Sequence, residues 1–286
     1  MTSHAFSRRR FMAYSAILPW ALNARAAASI PVGLELYSVR EELKRDPQAT
    51  VRAVAGMGYQ CVEFYAPYYD WTENQTKEMR KLLDDLGIRC SSTHNDSSFF
   101  NKEKLPKARD FNLILGSKYV VMASSQPKPG EDGWKAVAET LNLAAEQLES
   151  VGLKAGYHNH QLEFTPATDL PMNARPIEII TKNKKATIML QLDVGTCVEA
   201  GSDPVAWIRA NPGRIRSLHC KDWSSDPAKG YGVLFGEGVA DWKNIFAAAE
   251  SAGGVEYYLV EQEGSRFPEL ETARKCFEEF RKRHPN

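Results

Sequence analysis

The sequence predicts an α/β fold, a single (β/α)8 TIM barrel, on three observations. Short β-branched or apolar runs recur along the chain, helix-type periodicity fills most of the gaps between them, and no glycine-rich phosphate loop follows the first run. Strand–helix alternation calls for a parallel sheet. Eight such units in a chain of 286 residues match the size of a closed barrel. A doubly wound open sheet is the rival, but it would normally carry a glycine turn after its first strand, and "YSVREEL" has none.

The eight runs are "VGLELYS" from Val32, "QCVEF" from Gln60, "IRCSSTH" from Ile88, "KYVVM" from Lys118, "LKAGYHNH" from Leu153, "TIMLQLD" from Thr187, "IRSLHCK" from Ile215 and "YYLVEQ" from Tyr257. In "AVAETLNLAAEQLESVG", Val137, Leu141, Ala144 and Leu148 fall on one helical face, with Gly152 as a stop. "TKEMRKLLDDLG" and "DWKNIFAAAESAGG" likewise end in glycine before the next run. "SSQPKPGEDG", residues 124–133, is a loop within the domain and not a boundary.

The first 26 residues read as a separate export signal, leaving residues 27–286 as the catalytic barrel. "SRRRFM" precedes the apolar run "AYSAILPWAL" and an Ala24-Arg25-Ala26 cleavage pattern, a twin-arginine type of signal. That run is too short to span a bilayer, so the expected location is periplasmic. Four of the five cysteines (Cys61, Cys90, Cys197, Cys220) fall in or beside strands and read as buried thiols, with a Cys61–Cys90 bridge as the alternative. Formal net charge is zero, which gives no general attraction to nucleic acid or to an anionic membrane. The expected partner is a small-molecule sugar or keto-sugar, with no nucleic acid, no membrane once the signal is removed, and a homo-oligomer left open.

Function in such a barrel belongs to the C-terminal strand ends. Tyr37 closes the first strand, Glu63 the second, His94-Asn95 the third, His158 and His160 the fifth, Asp193 the sixth, His219 and Lys221 the seventh, and Glu261 and Glu263 the eighth. The fourth ends in Met122 and contributes little. Alternation along each strand puts His158, His160, Asp193, His219, Lys221 and Glu261 inside the barrel mouth, with Leu190, Leu192, Leu218, Cys220 and Val260 against the helices. Carboxylates and imidazoles converging on one point repel or desolvate badly unless a cation sits among them. Oxygen and imidazole donors together suit one divalent ion: Mn2+, Mg2+, Co2+ or Zn2+.

"GYQCVEF", "LDVGT", "SLHCKDW" and "LVEQEG", in this order at strand ends, resemble the sugar phosphate isomerase/epimerase family with the xylose-isomerase-like barrel, over residues 30 to 282. "LHCKD" and "GEGVADW" (Gly236–Trp242) add to the resemblance. It implies a divalent metal held by Glu, Asp, His and Glu from strands five to eight, of which Asp193, His219 and Glu261 carry over directly. The family commonly has Glu-x-His at strand five, where this chain has His158-Asn159-His160; the fourth ligand is then Glu163 reaching back from the loop, or His158. After strand six the family often has Asp-x-x-His, and this chain has Asp193-Val-Gly-Thr196. "YHNHQLEF" resembles the branch related to keto-inositol dehydratases and 3-keto-glycoside lyases.

These readings point to a metal-dependent enzyme that abstracts a proton next to a carbonyl of a sugar or cyclitol, through an enediolate. Glu163, Glu261 or His160 is the base; reprotonation gives an isomer or epimer, and loss of a β-substituent gives a lyase or dehydratase. Lys221 and His94 hold substrate hydroxyls or assist the leaving group. His158 and Glu63 complete the substrate contacts, and Trp223, with Trp71 and Phe99, offers a ring to pack on the sugar. The rivals are a metal-dependent DNA-repair endonuclease, disfavoured by neutral charge, a glycosidase using paired carboxylates, and a non-catalytic sugar-binding protein.

Overall fold

The computed structural model describes residues 29–285; the expected export signal at 1–26 and its boundary lie outside them. Eight parallel strands pair in chain order and close on themselves: β1 (Val32–Glu35), β2 (Cys61–Phe64), β3 (Arg89–Asp96), β4 (Tyr119–Ser124), β5 (Lys154–His158), β6 (Met189–Asp193), β7 (Ile215–Cys220) and β8 (Tyr257–Val260). The seam is β1 beside β8, with Leu34 opposite Val260. Eight helices form the outer ring: α1 (Pro47–Gly56), α2 (Glu73–Leu86), α3 (Leu105–Leu115), α4 (Glu131–Glu149), α5 (Pro176–Asn183), α6 (Pro204–Ala210), α7 (Trp242–Ala248) and α8 (Glu269–Arg283).

The period of two along each strand divides the sheet's residues between two environments. Leu34, Val62, Val120, Tyr157, Leu190, Leu218 and Val260 face outward and join the main core under the helices. Inside, Tyr119, Val121 and Met189 form a separate apolar plug, with Tyr257 against it. Above the plug, the inward positions turn polar: Glu35, Glu63, His94, His158, Gln191, Asp193, His219 and Glu261. The helices bury the stripes their sequences carry. On α4, Val137, Leu141, Ala144 and Leu148 are all buried, and fully burying a leucine contributes on the order of 1.5–3 kcal/mol. Thr72 and Gln75 form a capping box at the start of α2, and Gly87 ends it in the left-handed region at φ 68°.

Two strand ends differ from the sequence expectation. β1 stops at Glu35, because its carboxylate accepts the Tyr37 N–H at 2.6 Å and turns the chain into a short 3-10 helix, Leu36–Val39. Tyr37 therefore sits on the rim, beyond the strand. β4 runs on past Met122 to Ser124, and Ala123 and Ser124 line the mouth of the barrel; Met122 is the outward neighbour in this alternation. All five cysteines are buried and free, and burial pushes the Cys61 thiol up to about 12. Among the described residues, no helix is long and apolar enough to cross a membrane.

Barrel closure leaves no room at Gly33. A Cβ there would lie 2.6 Å from Cys61 Sγ, 2.7 Å from the Cys61 carbonyl and 2.8 Å from Leu259 Cδ2. One of these atoms is backbone, so β1 and β2 must separate to admit it. Gly33→Ala is expected to lose about 3 kcal/mol or more in urea denaturation, whereas Gly56→Ala, at the end of α1 with nothing within 4 Å, costs nothing or gains up to about 1 kcal/mol. Equal midpoints for the two variants would contradict this account.

Candidate active site

The polar layer is a connected set, drawn from every strand but β4, with two side chains from β6. His219, fully buried on β7, is bracketed: Nδ1 donates to Glu261 Oε2 at 2.6 Å and Nε2 to Glu63 Oε2 at 2.7 Å. Burial disfavours its charge, but the Glu63 and Glu261 carboxylates outweigh burial and hold the imidazole well above its usual range. Burial likewise opposes ionisation of Glu63, and His94 and His219 overcome it and lower its carboxyl. In Glu261 the Lys221 ammonium and His219 overcome burial in the same way. In Glu35 the lowering influences, His219 and the Tyr37 N–H, do not prevail: burial, then the neighbouring Glu261 and Glu63, push it well above the carboxylate range and favour its protonated form. Its Oε1 is buried with no hydrogen-bond partner.

Gln191 fixes the tautomers. Its amide nitrogen donates to Glu63 Oε1 at 3.0 Å and to Ser217 Oγ at 3.2 Å, which turns its carbonyl oxygen toward the histidines. That oxygen receives His94 Nε2 at 2.6 Å and His158 Nδ1 at 3.1 Å. His158 therefore carries its proton on Nδ1 and presents the Nε2 lone pair toward Asp193 Oδ2, 3.8 Å away. Burial, with His94 and His219 beside it, holds His158 well below the usual imidazole range. It is a neutral donor.

A cation fits this arrangement. His158, Asp193, His219 and Glu261 each offer one ligand atom, all within 4.8 Å of one another. Asp193 Oδ1 is used locally, accepting the Thr196 N–H at 3.0 Å, while its buried Oδ2 has no hydrogen-bond partner. His219 joins the set only by giving up one of its two N–H protons, in keeping with the proton release that accompanies metal binding. The one ammonium in the cluster belongs to Lys221. Its Nζ lies 3.3 Å from Asp193 Oδ2 and 3.6 Å from Glu261 Oε1, pairs with Glu263, and rests 4.7 Å from the centre of the Tyr231 ring. Burial works against its charge, and Asp193, Glu261 and Glu263 raise it well above the lysine range all the same.

Glu163 lies outside this group. It is buried in the short helix Gln161–Phe164, where Oε1 accepts the Tyr157 hydroxyl at 2.8 Å and Oε2 the His160 N–H at 3.0 Å. Tyr157 points outward, so the carboxylate is drawn to the helix side of β5, and the strand-five donor facing the cluster is His158. His160 is exposed at the rim, its ring edge-on to His158 at 4.9 Å. His94, His158, His160, Glu261, Glu263 and Glu35 line a cavity of about 380 Å³ over the cluster. Glu63 lies beneath it. Trp223 is not among its lining residues; it follows Asp222, whose buried carboxylate accepts N–H groups from Trp223 (3.0 Å), Gly236 (2.9 Å), Ala240 (3.4 Å) and the Trp242 indole (2.9 Å). Glu35 and the tautomer-setting role of Gln191 escaped the sequence reading. Period-two alternation through "GLEL" was the available signal for Glu35.

A family model described as xylose isomerase-like TIM barrel matches residues 51–283. An inosose dehydratase of Lacticaseibacillus casei is 24% identical over 55% of this chain, and the match spans 61% of that protein's length. A crystal structure of a sugar phosphate isomerase/epimerase from Parabacteroides distasonis ATCC 8503 superposes with a TM-score of 0.74 at 28% identity, covering 91% of this chain and 96% of that one. A zinc-containing structure of the IolI protein shares the fold, with a TM-score of 0.68 at 17% identity over 90% of this chain and 100% of its own. The family match spans most of the barrel, and the chain belongs to the xylose isomerase-like TIM barrel family.

Proposed function

We propose that this chain is an enzyme of the sugar isomerase/epimerase/lyase type that removes a proton next to the carbonyl of a keto-sugar or cyclitol. The observation that carries this reading is the convergence, under one cavity, of a neutral His158, the ionised Glu261 and the Asp193 Oδ2, which accepts no hydrogen bond and has the Lys221 ammonium beside it. The inosose dehydratases and the sugar phosphate isomerase/epimerase among the relatives support the substrate class.

His158, Asp193, His219 and Glu261 would hold a divalent ion, whose Lewis acidity acidifies a C–H beside a carbonyl and stabilises the enediolate. The protein's own groups do the rest. His160, exposed in the cavity, takes the proton from carbon. His94 also lines the cavity, and with its Nε2–H held by the Gln191 carbonyl its other ring nitrogen is the one left to accept from a substrate hydroxyl. Lys221, committed to three carboxylates, keeps their charge balanced and their orientation fixed. Gln191 holds His158 in the tautomer that leaves Nε2 free.

Return of the proton to carbon completes an isomerisation or epimerisation. Glu35 favours a second reading, dehydration. In that course the C–H electron pair forms a C=C bond, the C–O bond at the β-carbon breaks, and the departing hydroxyl takes a proton from a neutral acid to leave as water. Glu35 is the neutral carboxylic acid on the cavity wall.

Two measurements test the proposal. Mn2+ or Zn2+ at a hundredfold excess over its dissociation constant is expected to stabilise the protein by about 2.7 kcal/mol, seen as a raised melting temperature. Asp193→Ala abolishes that rise and Glu163→Gln retains it. Loss of the rise in Glu163→Gln but not in His158→Ala would move the fourth donor to Glu163. In D2O, deuterium is expected to enter a keto-sugar or an inosose at the carbon next to the carbonyl, about a hundredfold more slowly in His160→Asn. No incorporation into any such compound by the metal-loaded wild type refutes the reaction.

A further inference from the structure

The barrel carries a second polar pocket, at the starts of its strands. This pocket, of about 280 Å³, is lined by Tyr119 of β4, Lys154 of β5, Thr187 and Met189 at the start of β6, and Arg214 and Arg216 at the start of β7. Tyr119 and Met189 belong to the apolar plug, so the pocket lies beneath the plug, on the side away from the mouth. Its size is just under the roughly 300–1,000 Å³ of sites for drug-sized ligands, which suits a small ion or molecule.

Every charged residue of the lining is a cation. Lys154, Arg214 and Arg216 line the pocket, and no carboxylate does. Among the described residues, Lys154 and Arg214 form no ion pair. Arg216 reaches Glu256 at 3.7 Å, but that carboxylate also pairs with Lys118 and accepts the Tyr119 hydroxyl at 3.0 Å.

A fourth cation stands behind the lining. Lys184, buried just after α5, donates to the carbonyls of Ile188 and of Lys185 (3.4 Å) and so holds the turn that brings Ala186 and Thr187 to the pocket. Burial, then the Arg214 guanidinium, push its ammonium down to about 7. That is the response of a lysine to positive charge that nothing nearby offsets.

Arg214 is the most telling of the four. Its Nη2 donates to the Thr181 carbonyl at 3.1 Å, while its Nε is buried with no hydrogen-bond partner. Buried donors left without a partner are rare. Nε is one arm of the fork with which a guanidinium grips two oxygens of a phosphate. A single carboxylate would offset only one of the lining charges. A phosphate group brings about two negative charges and three strong acceptor oxygens, enough to meet Arg214, Lys154 and Arg216 together.

We propose that this pocket binds a phosphate group, free or carried on a small organic molecule, at the end of the barrel opposite the mouth. It stands independently of the function proposed above.

Calorimetric titration of the full chain at low ionic strength tests it, with inorganic phosphate, glycerol 3-phosphate and succinate as probes. The two phosphates are expected to bind saturably, and succinate at least tenfold more weakly. Arg214→Gln weakens phosphate about tenfold, the loss of one charge-assisted hydrogen bond. Lys154→Gln, at an exposed position without an ion pair, weakens it about fivefold and decides the matter if the arginine variant does not fold. Asp193→Ala, in the candidate metal group, leaves the affinity as it was. Tighter binding of the ester places its organic part against Tyr119 and Met189, and equal or tighter binding of inorganic phosphate makes the free ion the ligand; both support the site. Equal binding of succinate overturns the phosphate class. No saturable phosphate binding, an unchanged affinity in Lys154→Gln, or a loss confined to Asp193→Ala overturns the site itself.

Discussion

A buried imidazole held between two carboxylates organises the mouth of this barrel. Removing Glu63, His219 and Glu261 from water carries a desolvation cost of several kcal/mol per ion, recovered only if each lone pair and each N–H finds its partner. The line Glu63–His219–Glu261 meets that condition on three strands at once. It also dictates its neighbours. Glu63 leaves one oxygen for the Gln191 amide; that contact fixes Gln191's carbonyl, and the carbonyl fixes the protons of His94 and His158. A single charged line thus determines which imidazole nitrogen is free to donate to a cation.

The barrel itself was legible because its two signals are long-range averages. Strand alternation and helix stripes each sum over many residues, and a local irregularity does not erase them. Strand ends were less legible, since they turn on individual hydrogen bonds. Glu35 ends β1 by capping the backbone at Tyr37, and nothing in "VGLELYS" distinguishes that from a strand running on. Asp193, His219, Glu63, His94 and His158 meet in space because period-two counting is reliable inside a strand, and Lys221 and Glu261, one residue past β7 and β8, still keep the alternation. Glu163 and Trp223 lie beyond strand ends, where counting stops and side-chain partners decide direction.

Strand five shows how one turn of sequence serves two sides of the wall. Within "GYHNHQLEF", His158 and His160 belong to the mouth, while Tyr157 and Glu163 are bonded to each other on the helix side. Asn159 binds the backbone of β6: its amide oxygen accepts the Asp193 N–H at 3.0 Å and its nitrogen donates to Thr196 Oγ1 at 3.0 Å. The polar density that made this stretch conspicuous is therefore divided among a donor to the cluster, a rim imidazole and the ties that hold β5 and β6 in place.

Asp222 gathers four N–H groups from the segment that follows β7, and it does so from a fully buried position. The anchoring is concentrated at the two ends of that segment, at Trp223 and between Gly236 and Trp242. Tyr231 and Phe235 are also tied down within it, whereas residues 225–229 are exposed, and lengthening a loop at such a tip is cheap, about 0.6 kcal/mol for each doubling. Insertions there leave the barrel's hydrogen bonds untouched. This gives the scaffold a place to acquire new rim contacts in descent without first giving up stability, a route by which one barrel can diversify in what it accepts.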